Sequence, residues 1–458
     1  MTLTAVNPAT GDVIDTYPTM DAAAVDAALG RAADAAAALR ALDPPERAAR
    51  LRAAADLLDA ERDAVAATMS REMGKPVTGA LAEVAKCAAA CRYFAAHAPA
   101  FLADEPLADP GAVGAARAFV RYRPLGPVLA VMPWNFPLWQ VVRFAAPALM
   151  AGNPGLLKHA SNVPATARYL GELFTRAGFP PGAFAALAIG ADAVADVIAD
   201  PRVAAVTLTG SEGAGRSVGR AAGAALKKVV LELGGSDPYL VLPSADVDRA
   251  AAVGVTARCQ NNGQSCIAAK RFIVHADVYD AFLAAFTARM AALRVGDPLD
   301  PATEIGPLAT RSGRDDVAAQ VDDARARGAT VHCGGTVPDR PGWWYPPTVV
   351  TGVTPATRMY REEVFGPVAA VYRVESAEAA VALANATPFG LGANVWTGDP
   401  AEADRCVEGI VSGAVFVNGM TASHPELPFG GVGVSGHGRE LAAHGIREFC
   451  NARTIWIA

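Results

Sequence analysis

The chain has 458 residues, of which 52% are hydrophobic and 19% charged, and its formal net charge is −6. That length accommodates two or three domains with large cores, the composition is globular rather than disordered, and the lack of a basic excess argues against a nucleic-acid partner, whose phosphates would need neutralising. No apolar run approaches the roughly 20 residues of a membrane-spanning helix, and the opening MTLTAVNPATGDVID has no basic stretch followed by an apolar one, so neither a membrane nor a secretory signal is expected.

In chain order, the first hundred residues place Ala, Leu and charges at helical spacing, as in AARLRAAADLLDAERDAVAATMSREMGK, and predict surface helices packed on something else. Cys87 and Cys91, four apart in that region, have no partner ligands close by and read as core packing. Residues 118–124, AFVRYRP, alternate and stop at a proline, the pattern of an exposed strand or hairpin arm. Five short apolar runs follow, at 126–133, 154–160, 182–189, 203–210 and 227–235, with segments of helical length between them. They predict a parallel sheet built from βαβ units, the doubly wound, nucleotide-binding type of α/β architecture. After Gly235 a second series, DPYLVLP, KRFIVHA, ATVHCGG, PVAAVYRV and GAVFVNG, predicts a second α/β domain, and the final NARTIWIA reads as a strand in need of a partner. The seven cysteines, odd in number and widely spread, imply free thiols in a reducing compartment, the cytoplasm.

Four short stretches carry chemistry. Gly210, Gly213 and Gly215 follow the strand VAAVTLTG and open a helix, so its first amides form an anion site; a plain βα turn explains the same glycines equally well. In PWNFP, two prolines bracket Trp134, Asn135 and Phe136 at a strand end. Asn135 there holds an uncharged N–H donor on a rigid mount, suited to an oxyanion, although a turn Asn satisfying local backbone is the plainer reading. In LELGGSDP, Glu232 sits inside an apolar strand, where desolvation would raise its pKa towards that of a useful general base; a structural ion pair is the alternative. In QNNGQSC, Cys266 has no cysteine within three residues and no zinc-ligand spacing, and its glycine-containing polar loop favours a nucleophile over a core filler.

Taken in order, PWNFP, LLKHAS, TGSEGAG, LELGGSDP, NNGQSC, EEVFGPV and PFGGVGVSGHGREL resemble the aldehyde dehydrogenase superfamily over essentially the whole chain. The subgroup most resembled is the succinate-semialdehyde dehydrogenases, through WQVVRFAAPALMAGN, LKHASNVP and NNGQSCIAAKRFIV. The resemblance implies a Rossmann-like cofactor domain (1–113 and 127–231), an α/β catalytic domain (232–433), and a small β oligomerisation arm and tail (114–126 and 434–458). It implies that Cys266 is the nucleophile, Glu232 the general base and Asn135 half of the oxyanion hole, with the Cys266 backbone N–H as the other half. For the dinucleotide it implies Trp134, Lys158, Ser161, Gly210, Ser211, Glu363 and Phe365. No metal is implied, and partners reduce to a small aldehyde and further copies of the chain in a homodimer or homotetramer.

Cofactor choice follows from charge. Many NAD-preferring relatives carry a glutamate where Ser161 stands; its absence removes repulsion of a 2′-phosphate, and Lys158 adds positive charge, so NADP is expected ahead of NAD. Trp139 and Arg143 are four apart and share a helix face. Arg143 could clamp the distal carboxylate of a semialdehyde or sit in a structural ion pair. Ser423, in TASHPEL, matches a subgroup position that contacts the same carboxylate. In the tail, Val432 and Val434 leave uncharged a loop in which relatives often carry Lys or Arg. Three other readings stand beside this one: another small aldehyde as substrate, a non-catalytic scaffold, and a thiol hydrolase pairing Cys266 with a histidine. A disulfide between Cys259 and Cys266 is a further, minor expectation.

Overall fold

The computed structural model describes residues 2–458. Two open sheets and a small three-stranded arm organise it. The first sheet has six strands in the spatial order Gly436–His437, Lys228–Glu232, Ala205–Thr209, Val128–Met132, Gly155–His159 and Phe184–Ala186. The last five are mutually parallel, and they are the five apolar runs expected from the sequence. Their chain order reverses between Val128–Met132 and Ala205–Thr209. A crevice opens at such a switch point beyond the carboxyl ends of the strands, which is where doubly wound sheets take their ligands. Asn135 follows one of these two strands and Gly210 the other.

The second sheet has seven strands, in the order Thr330–Cys333, Thr348–Thr351, Val368–Val374, Ala269–His275, Asp237–Val241, Gly392–Trp396 and Ala414–Val417. All neighbours are parallel except the first pair. Its central strands Val368–Val374, Ala269–His275 and Asp237–Val241 are buried on both faces, which is why they read as continuous apolar runs rather than alternating ones. Thr348–Thr351 and Gly392–Trp396 were not among the expected strands.

The arm pairs Cys450–Ile457 with Arg117–Pro124 over eight residues, antiparallel, and adds Glu105–Pro106 on the other side. The terminal strand thus finds its partner in the AFVRYRP segment. The opening residues depart from the helical expectation: Thr2–Val6 and Val13–Pro18 form an antiparallel hairpin before the first helix. The helices that follow are less superficial than expected. Val77–Phe101 buries Ala80, Val84, Cys87, Ala88, Cys91, Phe94 and Ala98 against its neighbours. Burial pushes the Cys87 thiol well up and that of Cys91 up to about 12, as suits inert packing groups. All seven cysteines are free. Cys259 directs its Sγ to the Met290 sulfur at 3.5 Å, so nothing links it to Cys266.

Candidate active site

The loop before Cys266 explains its own sequence. Asn261, Asn262 and Gly263 have φ of 55°, 58° and 73°, three successive left-handed residues. Asparagine and glycine tolerate that region best. At Gly263 a Cβ would also collide with the Gly366 backbone. Side chains then lock the loop. Asn262 Nδ2 donates to the carbonyls of Gly74 (2.8 Å) and Pro307 (2.9 Å), and its Oδ1 accepts from the Gly306 amide at 2.8 Å. Gln264 Oε1 accepts from the Ala309 amide at 2.9 Å. The buried Arg258 guanidinium donates to the carbonyls of Gly263 and Ala269. Backbone strain held in place this firmly is a mark of functional sites.

Cys266 emerges from this loop half-buried. It lies on the wall of a cavity of about 490 Å³ that Phe136, Trp139, Arg143, Ser423 and Phe429 also line. Surrounding protein pushes its thiol up to about 12, while the positive charges of Arg143 and Lys270 pull the other way. Asn135 is joined to the loop from both ends. Its Nδ2 donates to the Gln264 carbonyl at 3.2 Å, and its own carbonyl accepts from Asn261 Nδ2 at 2.7 Å. An amide nitrogen carries two protons, so one remains for a ligand. The turn bonds of the loop, Gln264 N to Asn261 O and Ala268 N to Ser265 O, leave the Cys266 amide unused.

Glu232 ends its strand fully buried, with no hydrogen-bond partner for either oxygen among the described residues. Burial, and then the negative charge of Glu440, raise its pKa well above the usual carboxylate value; Arg143 and Arg439 oppose this. Its charge is felt at Cys266, so the two groups share one electrostatic environment. Asn135 is thus hydrogen-bonded to the loop that carries Cys266, and the Glu232 charge reaches Cys266 from a third stretch of chain.

The expected cofactor residues lie at strand ends of the six-stranded sheet and in the loop before Val368–Val374. Trp134 meets Phe365 edge-on, with ring centroids 5.7 Å apart. Glu363 accepts from the Gly235 amide at 3.1 Å and pairs with Lys270 at 3.1 Å, and Lys270 Nζ donates to the Cys266 carbonyl at 2.7 Å. A Cβ at Gly234 would collide with the Glu363 carboxylate. Ser211 caps the helix Glu212–Ala224, its Oγ accepting from the Ala214 amide at 3.3 Å. The amides of the first turn ahead of Ala214 have no partner within the helix. Lys158 is half-buried at the end of its strand and Ser161 is exposed just beyond it. Burial alone lowers the Lys158 pKa; no acidic neighbour counters it.

Arg143 takes the ion pair that was the alternative to a substrate role. Its guanidinium binds Glu440, hydrogen-bonds Thr209 Oγ1 at 3.2 Å and lies 4.7 Å from the Phe429 ring centroid, while still forming part of the cavity wall. Sequence reading missed two charged residues on Val77–Phe101. Glu83 Oε1 accepts from the Leu138 and Trp139 amides at 2.9 and 2.8 Å, capping the helix Trp139–Ala151, and Glu83 also forms a buried pair with Lys75. Lys86 enters the cavity next to Ser423 and Trp139. The signal was two charges, three apart, in the otherwise apolar AEVAKCAAAC.

Comparison with known proteins agrees with this geometry. A model of the aldehyde dehydrogenase family matches residues 1–455. A succinate-semialdehyde dehydrogenase [NADP(+)] from Mycobacterium tuberculosis is 60% identical over 458 residues, covering all of both chains. One from Mycobacterium avium is 60% identical over all of this chain and 97% of its own length. The crystal structure of succinic semialdehyde dehydrogenase from Streptococcus pyogenes with NADP+ superimposes with a TM-score of 0.96 at 38% identity, covering 99% of each chain. Matched by the family model almost from end to end and superimposing on a solved member over 99% of its length, the chain belongs to the aldehyde dehydrogenase family.

Proposed function

We propose that the chain oxidises succinic semialdehyde to succinate with NADP as electron acceptor. The observation that carries this reading is the cavity on whose wall the Cys266 sulfur and the positively charged Lys86 both lie, an arrangement suited to a substrate with an aldehyde at one end and a carboxylate at the other. The names of the mycobacterial and streptococcal relatives agree with it. The residues present fit the dinucleotide. Lys158 is a half-buried cation with no acid beside it, Ser161 leaves the neighbouring position uncharged, and Ser211 opens a helix whose free amides suit a pyrophosphate. Lys158 and Ser161 would hold the adenosine ribose and its phosphate, and Glu363 and Phe365 would position the nicotinamide end.

In this mechanism the Cys266 thiolate adds to the aldehyde carbon and forms a thiohemiacetal. Asn135 Nδ2 and the Cys266 amide donate to the resulting oxyanion, each good donor contributing roughly 3 kcal/mol. NADP, when bound, supplies the hydride acceptor. The acyl group remains on Cys266 as a thioester. Glu232 then takes a proton from water, the hydroxide adds to the thioester carbonyl, and succinate leaves as the thiol is restored. On this reading both sheets contribute to the cofactor site, and the loop leading into the seven-stranded sheet carries the nucleophile. The arm, where Trp456 and Ile457 are 52% and 44% exposed, is the surface through which copies associate.

A kinetic panel of succinic semialdehyde, glutaric semialdehyde, butanal and benzaldehyde, each with NADP and NAD, tests the proposal. The highest kcat/KM is expected for succinic semialdehyde with NADP. A higher value for an uncharged aldehyde, or with NAD, overturns the corresponding half.

A further inference from the structure

Lys86, on the helix Val77–Phe101, lines the cavity, and three contacts define its place there. Its Nζ donates to Ser423 Oγ at 2.8 Å and stands 4.1 Å from the Trp139 ring centroid, and Trp139 Nε1 donates to the same Ser423 oxygen at 3.0 Å. A serine hydroxyl has two lone pairs and one proton. Neither an ammonium nor an indole N–H can accept, so both lone pairs of Ser423 are taken and its own proton is left to donate elsewhere. The hydroxyl is thereby fixed as a donor.

Lys86 itself has no carboxylate within ion-pair distance among the described residues. The nearest acid on its helix, Glu83, is engaged with Lys75 and the Leu138 and Trp139 amides. The other cations on this wall, Arg143 and Lys75, are matched by Glu440 and Glu83, and Glu304, the remaining acid on it, pairs with Arg294. The cavity thus contains one uncompensated positive charge beside one hydroxyl that must donate. Burial, with a further push from Arg143, lowers the Lys86 pKa to about 8, which a bound anion would reverse.

We propose that Lys86 is the specificity-determining residue for the distal carboxylate of the substrate: its ammonium pairs with one carboxylate oxygen, and with Trp139 it orients the Ser423 hydroxyl to donate to the other. Arg143 contributes field rather than contact, since its guanidinium is already committed. The proposal rests on the semialdehyde reading above.

The test is the ratio of kcat/KM for succinic semialdehyde to that for butanal, its uncharged counterpart in length, in wild type, K86M and K86R. A charged hydrogen bond is at stake, so K86M is expected to lower the ratio roughly 10- to 100-fold, mainly through KM, with K86R retaining part of it. The butanal rate reports whether each variant is folded and keeps its nucleophile. A clear wild-type preference for succinic semialdehyde that K86M leaves within about twofold overturns the role of Lys86 alone. A wild type without that preference overturns the semialdehyde reading, and the proposal with it.

Discussion

Cys266 and Glu232 are both held away from the charged state that their proposed roles need. Burial pushes the thiol up to about 12, and burial with the Glu440 charge raises the carboxyl. Below such a pKa the thiolate fraction rises about tenfold per pH unit, so alkylation of Cys266 by iodoacetamide should accelerate steadily from about pH 6 to about pH 9. A rate that levels off near neutrality would mean that the loop lowers the thiol pKa more than Arg143 and Lys270 account for. For Glu232 the sign runs towards instability. A carboxyl whose folded pKa is raised binds its proton more tightly when folded, so its contribution is fully favourable in acid and is lost as pH rises above the usual carboxylate range. Glu232→Gln should therefore gain thermal stability over wild type at about pH 8, with the gain shrinking towards about pH 5. The same variant should release one equivalent of NADPH per site rapidly and then stall, because the amide cannot take the proton from water. Steady turnover near the wild-type rate would remove Glu232 from the mechanism.

At the scale of the element, the site depends on a loop in an unfavourable backbone conformation and on a helix capped from elsewhere. Asn262 combines a left-handed φ of 58° with three hydrogen bonds to distant backbone. Asn262→Ala should cost about 3 kcal/mol and lower kcat, and Asn262→Gly should cost about 1 kcal/mol less, because it loses the bonds but not the tolerance of that φ. Equal losses measured by urea unfolding would show that backbone conformation is not part of the cost. Much of this was readable in advance. PWNFP, LELGGS and NNGQSC are turn-forming residues at strand ends, and turn chemistry is local, so their places in the chain revealed their places in the fold. The charges on Val77–Phe101 were not readable in the same way. Helical periodicity separates a buried face from a wet one, but it cannot tell that Glu83 would cap another helix or that Lys86 would face a cavity and meet Ser423, 337 positions later. Arg143 was legible only as a pair of alternatives, since its partner Glu440 comes from the tail. The opening hairpin escaped because its strands pair only with each other and are largely exposed, so no buried face stamped a pattern on them.

Over the whole molecule, the expected dinucleotide residues come from both halves. Lys158 lies in a strand of the six-stranded sheet and Ser161, Gly210 and Ser211 just beyond strands of it, while Glu363 and Phe365 lie between Thr348–Thr351 and Val368–Val374 of the seven-stranded sheet. A ligand that touches both is linked to the folding of both. At a concentration 100 times its Kd it adds about 2.7 kcal/mol to the folded state. At about 2.1 cal/mol/K per residue, the unfolding entropy of a chain this long is about 1 kcal/mol/K, so Tm should rise by about 3 °C if the chain unfolds as one unit. NADP should give that shift at a lower concentration than NAD, since in the proposed binding mode Lys158 would meet the 2′-phosphate with no acidic neighbour to repel it. Ser161→Glu reintroduces the repulsion and should invert the order, with NAD the better stabiliser, while leaving Tm without ligand close to the wild-type value because position 161 is exposed. If S161E kept the wild-type order, the choice of cofactor would have to be made elsewhere in the groove. If NADP raised only the first of two separate transitions, the two sheets would be folding independently and the dinucleotide would be held by one of them.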